Sequence, residues 1–229
     1  FYAYRQHQQA ITHWEKAVAL EDDNPITYRN LALAYFNKVS EEDKALAFLE
    51  KAFRIDEGSP RLLMELDQLY KRLNLGSEER LAFLDKYSKQ VAFRDDLYLE
   101  RITLFNTLGQ PGKALELLSS RTFHPWEGGE GKVPAQYLYS RIALAYKHIQ
   151  KQEYPQAIQH LKLAQDYPHN LGEGKLYGTQ ENDIFYWQGC AYDGLNESKK
   201  AEEAWEKASV GLSEPEPAIF YNDQQPDKI

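Results

Sequence analysis

The sequence predicts an all-α fold built from stacked pairs of antiparallel helices. Along most of the 229 residues, apolar and small residues recur with the 3.6-residue period of an amphipathic helix. The same pattern returns at intervals of about 34 residues. No long stretch alternates apolar and polar residues with the period of two that indicates a half-buried strand. These observations favour repeated helix hairpins over a fold that contains a sheet.

Two segments show the repeat most clearly. They are NPITYRNLALAYFNKVSEEDKALAFLEKAFRIDEGSP, which begins at Asn24, and NDIFYWQGCAYDGLNESKKAEEAWEKAS, which begins at Asn182. Their packing positions are Tyr28, Leu31, Ala32, Tyr35, Ala45, Leu49 and Ala52 in the first segment, and Phe185, Gly189, Tyr192, Ala201, Trp205 and Ala208 in the second. Both segments resemble tetratricopeptide repeats. The resemblance implies a right-handed superhelical solenoid of helix hairpins.

The repeat frame divides the chain into an array over residues 1–214 and an extended tail over residues 215–229, which leads toward a further repeat. The first unit, 1–24, is expected to be truncated, because Phe1 falls where a tyrosine late in the first helix of a repeat would lie. The other units lie near 25–59, 60–93, 94–132, 133–181 and 182–214. In the fifth unit the packing positions are assigned to Tyr139, Ile142, Ala143 and Tyr146.

Composition excludes several classes of function. The net charge of −8 lacks the basic footprint of a protein that binds a nucleic-acid backbone. No apolar run approaches the roughly 18 residues of a membrane-spanning helix. The single cysteine, Cys190, excludes an internal disulfide framework. We find no catalytic or metal-ligand motif, so we expect a noncatalytic chain without a cofactor or metal, located in the cytoplasm.

The first helices of stacked hairpins line the inner groove, which is the default ligand surface. In the second and third units this frame selects Arg29, Asn30, Leu33, Asn37, Arg61, Glu65, Gln68 and Arg72. Arg29, Asn30 and Arg61 are similar to the clamp with which some tetratricopeptide domains hold the terminal carboxylate of a peptide. Glu65 breaks this pattern, because its carboxylate would repel that of the ligand. Binding of a chaperone tail is therefore not favoured.

Toward the end of the chain the frame selects an aromatic surface made by Tyr137, Arg141, Asp183, Tyr186 and Trp187. Aromatic rings beside Arg and Asp suit a sugar ring or an extended peptide equally well. The alternative is that the rings of Tyr186 and Trp187 pack against the long loop that contains Trp126 and stabilise the solenoid. Trp14 and Trp205 are expected at interfaces between paired helices.

Two long loops each contain the sequence Gly-Glu-Gly-Lys, at residues 129–132 and 172–175. Neither is a phosphate-binding Walker loop, because Lys132 and Lys175 are not followed by Ser or Thr. The candidate contact residues in and beside these loops are Trp126, Glu130, Lys132, Glu173 and Lys175. The glycines could bring the loops close to a ligand. The alternative is that the charged residues merely tie two neighbouring loops together and bind no ligand.

The segments RTFHPWEGGEGKV, NLGEGKLYGTQENDIFYWQG and AIFYNDQQPDKI resemble parts of a family of bacterial multidomain proteins. In that family a β-rich domain of unknown function precedes a helical tetratricopeptide array, and the resemblance implies a function connected with carbohydrate.

Our leading hypothesis is a noncatalytic scaffold that binds a protein, a peptide or another domain of the same protein through its concave face and the two loops. The alternative is the helical accessory region of a carbohydrate-active enzyme. A third hypothesis is self-association through the exposed ends of the array.

Overall fold

The computed structural model describes residues 6–176 and 178–210. Within these residues the regular structure is helical and no β-strand occurs. The helices are α1 (His7–Leu20), α2 (Pro25–Ala34), α3 (Glu42–Ile55), α4 (Pro60–Arg72), α5 (Ser77–Lys86), α6 (Ser88–Val91), α7 (Asp95–Thr107), α8 (Pro111–Ser119), α9 (Lys132–Gln150), α10 (Tyr154–Ala164), α11 (Asn182–Gly194) and α12 (Ser198–Ser209). A π-helical turn (Tyr35–Val39) follows α2, and a 3-10 turn (His169–Leu171) follows α10.

None of the described helices combines the length and apolarity needed to cross a bilayer. The predictions for Phe1 and for the tail at 215–229 lie outside the described residues. The chain divides into two compact parts, Phe1–Arg101 and Ile102–Ile229. They are called unit 1 and unit 2 from here on, and they are distinct from the repeat units of the sequence analysis.

Unit 1 is built around the hairpin of α2 and α3. The side chain of Asn24 starts α2 by accepting hydrogen bonds from the backbone N–H groups of Ile26 and Thr27, at 3.0 and 3.1 Å. Pro25 occupies the first turn, where its missing N–H leaves no bond unmade. α3 packs against α2 on one side and α4 on the other. The packing positions predicted for this repeat are confirmed, since Tyr28, Leu31, Ala32, Tyr35, Ala45, Leu49 and Ala52 are all buried.

Two tyrosine hydroxyls join successive hairpins in unit 1. Tyr35 donates a hydrogen bond to Glu15 of α1 at 2.6 Å, and Tyr70 of α4 donates one to Glu50 of α3 at 3.0 Å. In both pairs the partners are 20 residues apart, so the second pair repeats the first one repeat later. The hydrogen bond to Glu15 raises the pKa of Tyr35 to about 12, because an ionised phenol cannot donate to the carboxylate.

A buried ion network holds the third hairpin. Arg80 of α5 donates to both oxygens of Asp67 of α4, at 3.1 and 2.7 Å, and to Glu100 of α7 at 2.7 Å. The Asp67 side chain is completely buried and that of Arg80 is 5% exposed. Burial raises the pKa of Asp67, although Arg80 favours its charged form. The charges are acceptable inside the repeat because each is paired and hydrogen-bonded.

Unit 2 contains two further hairpins, α9 with α10 and α11 with α12, and α10 also packs against α11. Glycines allow large rings to approach the helices closely. A Cβ added at Gly189 would lie 2.3 Å from the ring of Trp205, and one added at Gly194 would lie 2.3 Å from the ring of Tyr154. Trp205 thus contacts the paired helix as predicted, although its side chain remains 36% exposed. Trp14, in unit 1, packs partly buried against the cluster that contains Ile11.

The packing assigned to the first helix of the fifth repeat is wrong for Tyr139 and Tyr146, whereas Ile142 packs partly buried against a core cluster of unit 2, as predicted. Tyr139 and Tyr146 of α9 are exposed, whereas Tyr137 and Ala145 are buried. The physical reason is that α9 carries apolar or aromatic residues around most of its circumference, so periodicity alone leaves its inward face ambiguous. Contact with neighbouring helices decides which of these residues are buried.

Replacing Arg80 with Ala should destabilise the protein by about 3–5 kcal/mol, because it leaves the buried Asp67 carboxylate without its partner. Arg54→Ala is the matched control. Arg54 is 61% exposed and pairs only within its helix with Glu50, so its loss should cost less than about 0.5 kcal/mol. Urea unfolding followed by circular dichroism measures both variants. Equal losses would contradict a structural role for the network.

Raising the pH should weaken the bond between Tyr35 and Glu15. The pKa of Tyr35 lies above the ordinary value of 10, so its contribution to stability is complete below pH 10 and disappears as the pH rises through about 12. In Glu15→Gln, Tyr35 should ionise closer to pH 10, which absorbance titration at 295 nm measures. The difference between the titration curves of the original protein and Tyr35→Phe gives the contribution of Tyr35. Identical titration curves for Glu15→Gln and the original protein would show that Glu15 does not raise this pKa.

Candidate functional site

The candidate site is a groove in unit 1 between α2 and α4, with α3 behind it. Its volume is about 210 Å³. Ten residues of the π-helical turn and these helices line it: Ala32, Leu33, Phe36, Asn37, Leu49, Met64, Glu65, Gln68, Leu69 and Arg72. Ala32, Leu49 and Leu69 are buried and form the apolar floor. The groove exists because the first helices of two successive hairpins lie side by side over the second helix of the earlier hairpin.

The π-helical turn shapes one end of this groove. It begins directly after α2 and supplies Phe36 and Asn37 to the lining. The guanidinium of Arg72 lies over the Phe36 ring, 5.4 Å from its centroid, and Asn37 donates to the carbonyl of Leu33 at 2.9 Å. Single π-helical turns within α-helices are found frequently at functional sites.

The other end of the groove carries a cluster of opposite charges. Arg29 donates two hydrogen bonds to Glu65, from Nε to Oε2 and from Nη2 to Oε1, each at 2.5 Å. Arg61 donates from Nε to Oε1 of the same carboxylate at 3.2 Å. Asn30 accepts a long bond of 3.5 Å from Nη1 of Arg29. The predicted candidates Arg29, Asn30 and Arg61 therefore lie together, and Glu65 partly neutralises the two arginines.

The groove offers an apolar floor and polar edges, the usual form of a ligand-binding recess. Asn37 and Gln68 supply amides, while Glu65 and Arg72 supply charges. Over residues 6–176 and 178–210, no three His, Cys, Asp or Glu residues are arranged to hold a metal ion.

Sequence reasoning missed three residues of the groove, Phe36, Met64 and Leu69. Each is adjacent in sequence to a residue that the repeat frame selected. A frame widened by one residue on either side along α4 would have included Met64 and Leu69. The π-helical turn that brings Phe36 to the groove has no signal in the sequence that we can name.

The two Gly-Glu-Gly-Lys loops of unit 2 contact each other. Glu173 accepts a hydrogen bond from the backbone N–H of Gly131 at 2.7 Å, at the start of α9. Asn170 donates to the carbonyls of Leu118 and Arg121, at 2.7 and 2.8 Å, and its own carbonyl accepts from the N–H of Phe123 at 2.8 Å. These bonds link the loop after α8 with the loop after α10.

The remaining loop candidates lie in two environments. The ring of Trp126 packs on its own loop, where a Cβ at Gly129 would lie 2.0 Å from it. Lys175 donates to Glu181 at 2.5 Å and to the carbonyl of Gln165 at 3.3 Å. Glu130 and Lys132 are exposed. The contacts made by the loop residues therefore favour the bracing interpretation for Trp126, Glu173 and Lys175.

Tyr137 does not face a ligand groove, which corrects the prediction for this residue. Its side chain is buried, with 3% exposure, and its hydroxyl donates to the carbonyl of Leu163 at 2.9 Å. Arg141 lies over the Tyr137 ring, 5.1 Å from the centroid, and its Nη1 is 3.3 Å from Nδ1 of His160. Both residues join α9 to α10. Burial lowers the pKa of His160, and the positive charge of Arg141 adds to this effect.

The aromatic candidates of α11 lie at a surface of unit 2. Tyr186 is exposed and Trp187 is half-buried, and the two rings are 5.1 Å apart in an edge-to-face arrangement. Trp187 makes the same kind of contact with Tyr146 of α9, also at 5.1 Å. Asp183, one turn earlier, accepts from the backbone N–H of Ile184 at 2.8 Å. The partner ring of Trp187 is thus on α9 and not in the loop of Trp126.

Comparison with known proteins agrees with this architecture. The family model for the TPR repeat matches residues 1–39. The crystal structure of YrrB, a TPR protein with an unusual peptide-binding site, is similar with a TM-score of 0.55 and 21% identity over 85% of this chain and 90% of that chain. The crystal structure of MamA gives a TM-score of 0.52 and 15% identity over 80% and 89% of the two chains.

A third similar structure is a chain of Naa15/Naa10 bound to HypK-THB, with a TM-score of 0.56 and 15% identity over 89% of this chain and 29% of that chain. These similarities show the fold. The predicted fold class, an all-α solenoid of tetratricopeptide-like hairpins, is confirmed. The resemblance to bacterial multidomain proteins stays a prediction.

Gly172→Ala should destabilise the braced loops of unit 2. Gly172 has a φ of +79°, and an added Cβ would lie 2.4 Å from the carbonyl oxygen of Phe123. The left-handed backbone alone costs about 1–2 kcal/mol for a residue with a side chain, so with the clash we expect a loss of at least about 2 kcal/mol. Gly174→Ala is the control, because its Cβ would meet no atom within 4 Å. Thermal and urea unfolding measure both, and equal stabilities would contradict the bracing.

Proposed function

We propose that the chain is a noncatalytic scaffold for protein interactions, and that the groove between α2 and α4 receives a side chain of an extended peptide or exposed protein segment. The observation that carries this proposal is the apolar floor of Ala32, Leu49 and Leu69 open between two first helices. Apolar recesses with a few polar groups at their edges are the usual form of a binding site.

The size of the groove selects the kind of ligand. Sites for whole drug-sized molecules measure about 300–1,000 Å³, and this groove is smaller, at about 210 Å³. It therefore suits one large apolar side chain better than an entire small molecule. Pockets that each take one side chain of a bound segment are a common source of specificity in peptide recognition.

The polar edge would orient the peptide backbone. Asn37 and Gln68 lie at the lining, on the π-helical turn and on α4. A side-chain amide can donate to a peptide carbonyl and accept from a peptide N–H, so the two amides can pair with backbone independently of the ligand's sequence. The apolar floor would then contribute most of the binding free energy, and the amides would set the direction of the segment.

The fold comparisons support this proposal. YrrB is described as a TPR protein with an unusual peptide-binding site, and the Naa15/Naa10 structure is an assembly with HypK-THB. We extend to this chain the use of the fold for protein recognition. The braced loops and the edge-to-face aromatic cluster of unit 2 would then serve as scaffold and as a second contact surface, respectively.

Leu33→Glu should weaken peptide binding strongly, because it places a charge on the apolar lining of the groove. Peptides are first selected by the 229-residue chain from a random dodecapeptide display library, and their affinities are measured by fluorescence anisotropy. We expect at least a tenfold loss in Leu33→Glu.

Ile26→Glu is the matched control, since Ile26 lies on the same helix, is 66% exposed and does not line the groove. It should bind like the original protein, and circular dichroism checks that both variants are folded. Selected peptides that bind Leu33→Glu as tightly as the original protein would place the binding surface elsewhere. Failure to select any peptide would remove the proposal.

A further inference from the structure

We infer that Glu65 determines the specificity of the groove by occupying the position of a ligand carboxylate, so that the groove takes uncharged apolar segments and rejects acidic ones. This inference rests on the proposed function, because it names the class of segment that the same groove accepts. It concerns one carboxylate in the groove wall and the two arginines that it holds.

Arg29 and Glu65 form a bidentate ion pair that is largely shielded from solvent. Both carboxylate oxygens are engaged by one guanidinium, at 2.5 Å each, in the two-bond arrangement that Arg makes with a bound carboxylate. The side chains are only 18% and 13% exposed. A well-shielded bidentate pair of this kind is held more firmly than an exposed ion pair.

The pair occupies the donors of Arg29 that an incoming anion would need. Nε and Nη2 of Arg29 point at Glu65, and Nη1 lies 3.5 Å from Oδ1 of Asn30. Arg61 directs its Nε to the same carboxylate at 3.2 Å. An anionic ligand that approached Arg29 would therefore have to displace Glu65 or lie beside it as a like charge, and both are unfavourable.

The carboxylate of this pair is part of the groove wall. Glu65 lines the groove, one turn before Gln68 and Leu69 of α4. A segment whose apolar side chain enters the groove thus passes directly beside this carboxylate. The charge of Glu65 then discriminates between neighbouring residues of the ligand, because complementary charge at a binding surface mainly sets specificity.

Glu65→Gln tests the inference, because it keeps the size of the side chain and removes its charge. Parallel selections from the random dodecapeptide library use the 229-residue chain, Glu65→Gln and Glu78→Gln. Glu78, an exposed residue of α5 outside the groove, is the matched control. Only peptides that fail to bind the corresponding protein carrying Leu33→Glu are counted as groove-dependent.

We expect Asp and Glu to be depleted below their library frequency among peptides selected by the original protein and by Glu78→Gln. With Glu65→Gln they should be enriched at least threefold over the original protein. A synthetic peptide from that selection should bind Glu65→Gln at least tenfold more tightly than its Asp→Asn counterpart, whereas the original protein should not prefer the acidic form. Circular dichroism checks the fold, and Glu65→Met is used if Glu65→Gln is not folded.

The outcomes separate the two proposals. Acidic residues enriched by the original protein, or equal compositions for it and Glu65→Gln, would overturn the inference while leaving a peptide groove. If only Glu65→Gln selects groove-dependent peptides, Glu65 blocks the groove and the proposed function of the original protein fails. If neither protein selects such peptides, both proposals fail.

Discussion

Close approach of paired helices through small residues is the constraint on which this structure depends. Ala45 and Ala52 of α3 are completely buried where α3 crosses its neighbours, and Gly189 and Gly194 of α11 lie directly under aromatic rings. A larger residue at such a position would either push the helices apart and leave a void, or clash with the neighbouring helix. The spacing set by these contacts places α2 and α4 side by side over α3. The groove is the gap that remains between them.

Charge in unit 1 is organised by pairing carboxylates with arginines. Arg80 is held inside the third hairpin by Asp67 and Glu100, and Arg29 is held at the groove by Glu65. The two clusters have different consequences. The first lies within the packed helices, where it joins α4, α5 and α7. The second borders the groove, where we propose that the same kind of pair acts in recognition.

Unit 2 shows how long connections can become part of a repeat. The loops after α8 and α10 are joined by Asn170, by Glu173 and by the close contact of Gly172 with the backbone of Phe123. Burying loop backbone requires partners for its N–H and C=O groups, and these bonds supply some of them. The glycines in these loops serve conformation first, since Gly131 and Gly172 both have left-handed backbones.

The sequence by itself determined the helical repeat, the hairpin packing of unit 1 and the assignment of Arg29, Asn30, Arg61 and Glu65 to the first helices of two successive repeats. Periodicity and repeat spacing are local properties that a chain carries in its order of residues. Only the tertiary structure decided that α9 turns Tyr137 inward, that Phe36 reaches the groove, and that Glu65 is held by two arginines. Each of these depends on contacts between helices, where an ambiguous apolar face or a flexible charged side chain takes the partner that packing brings within reach.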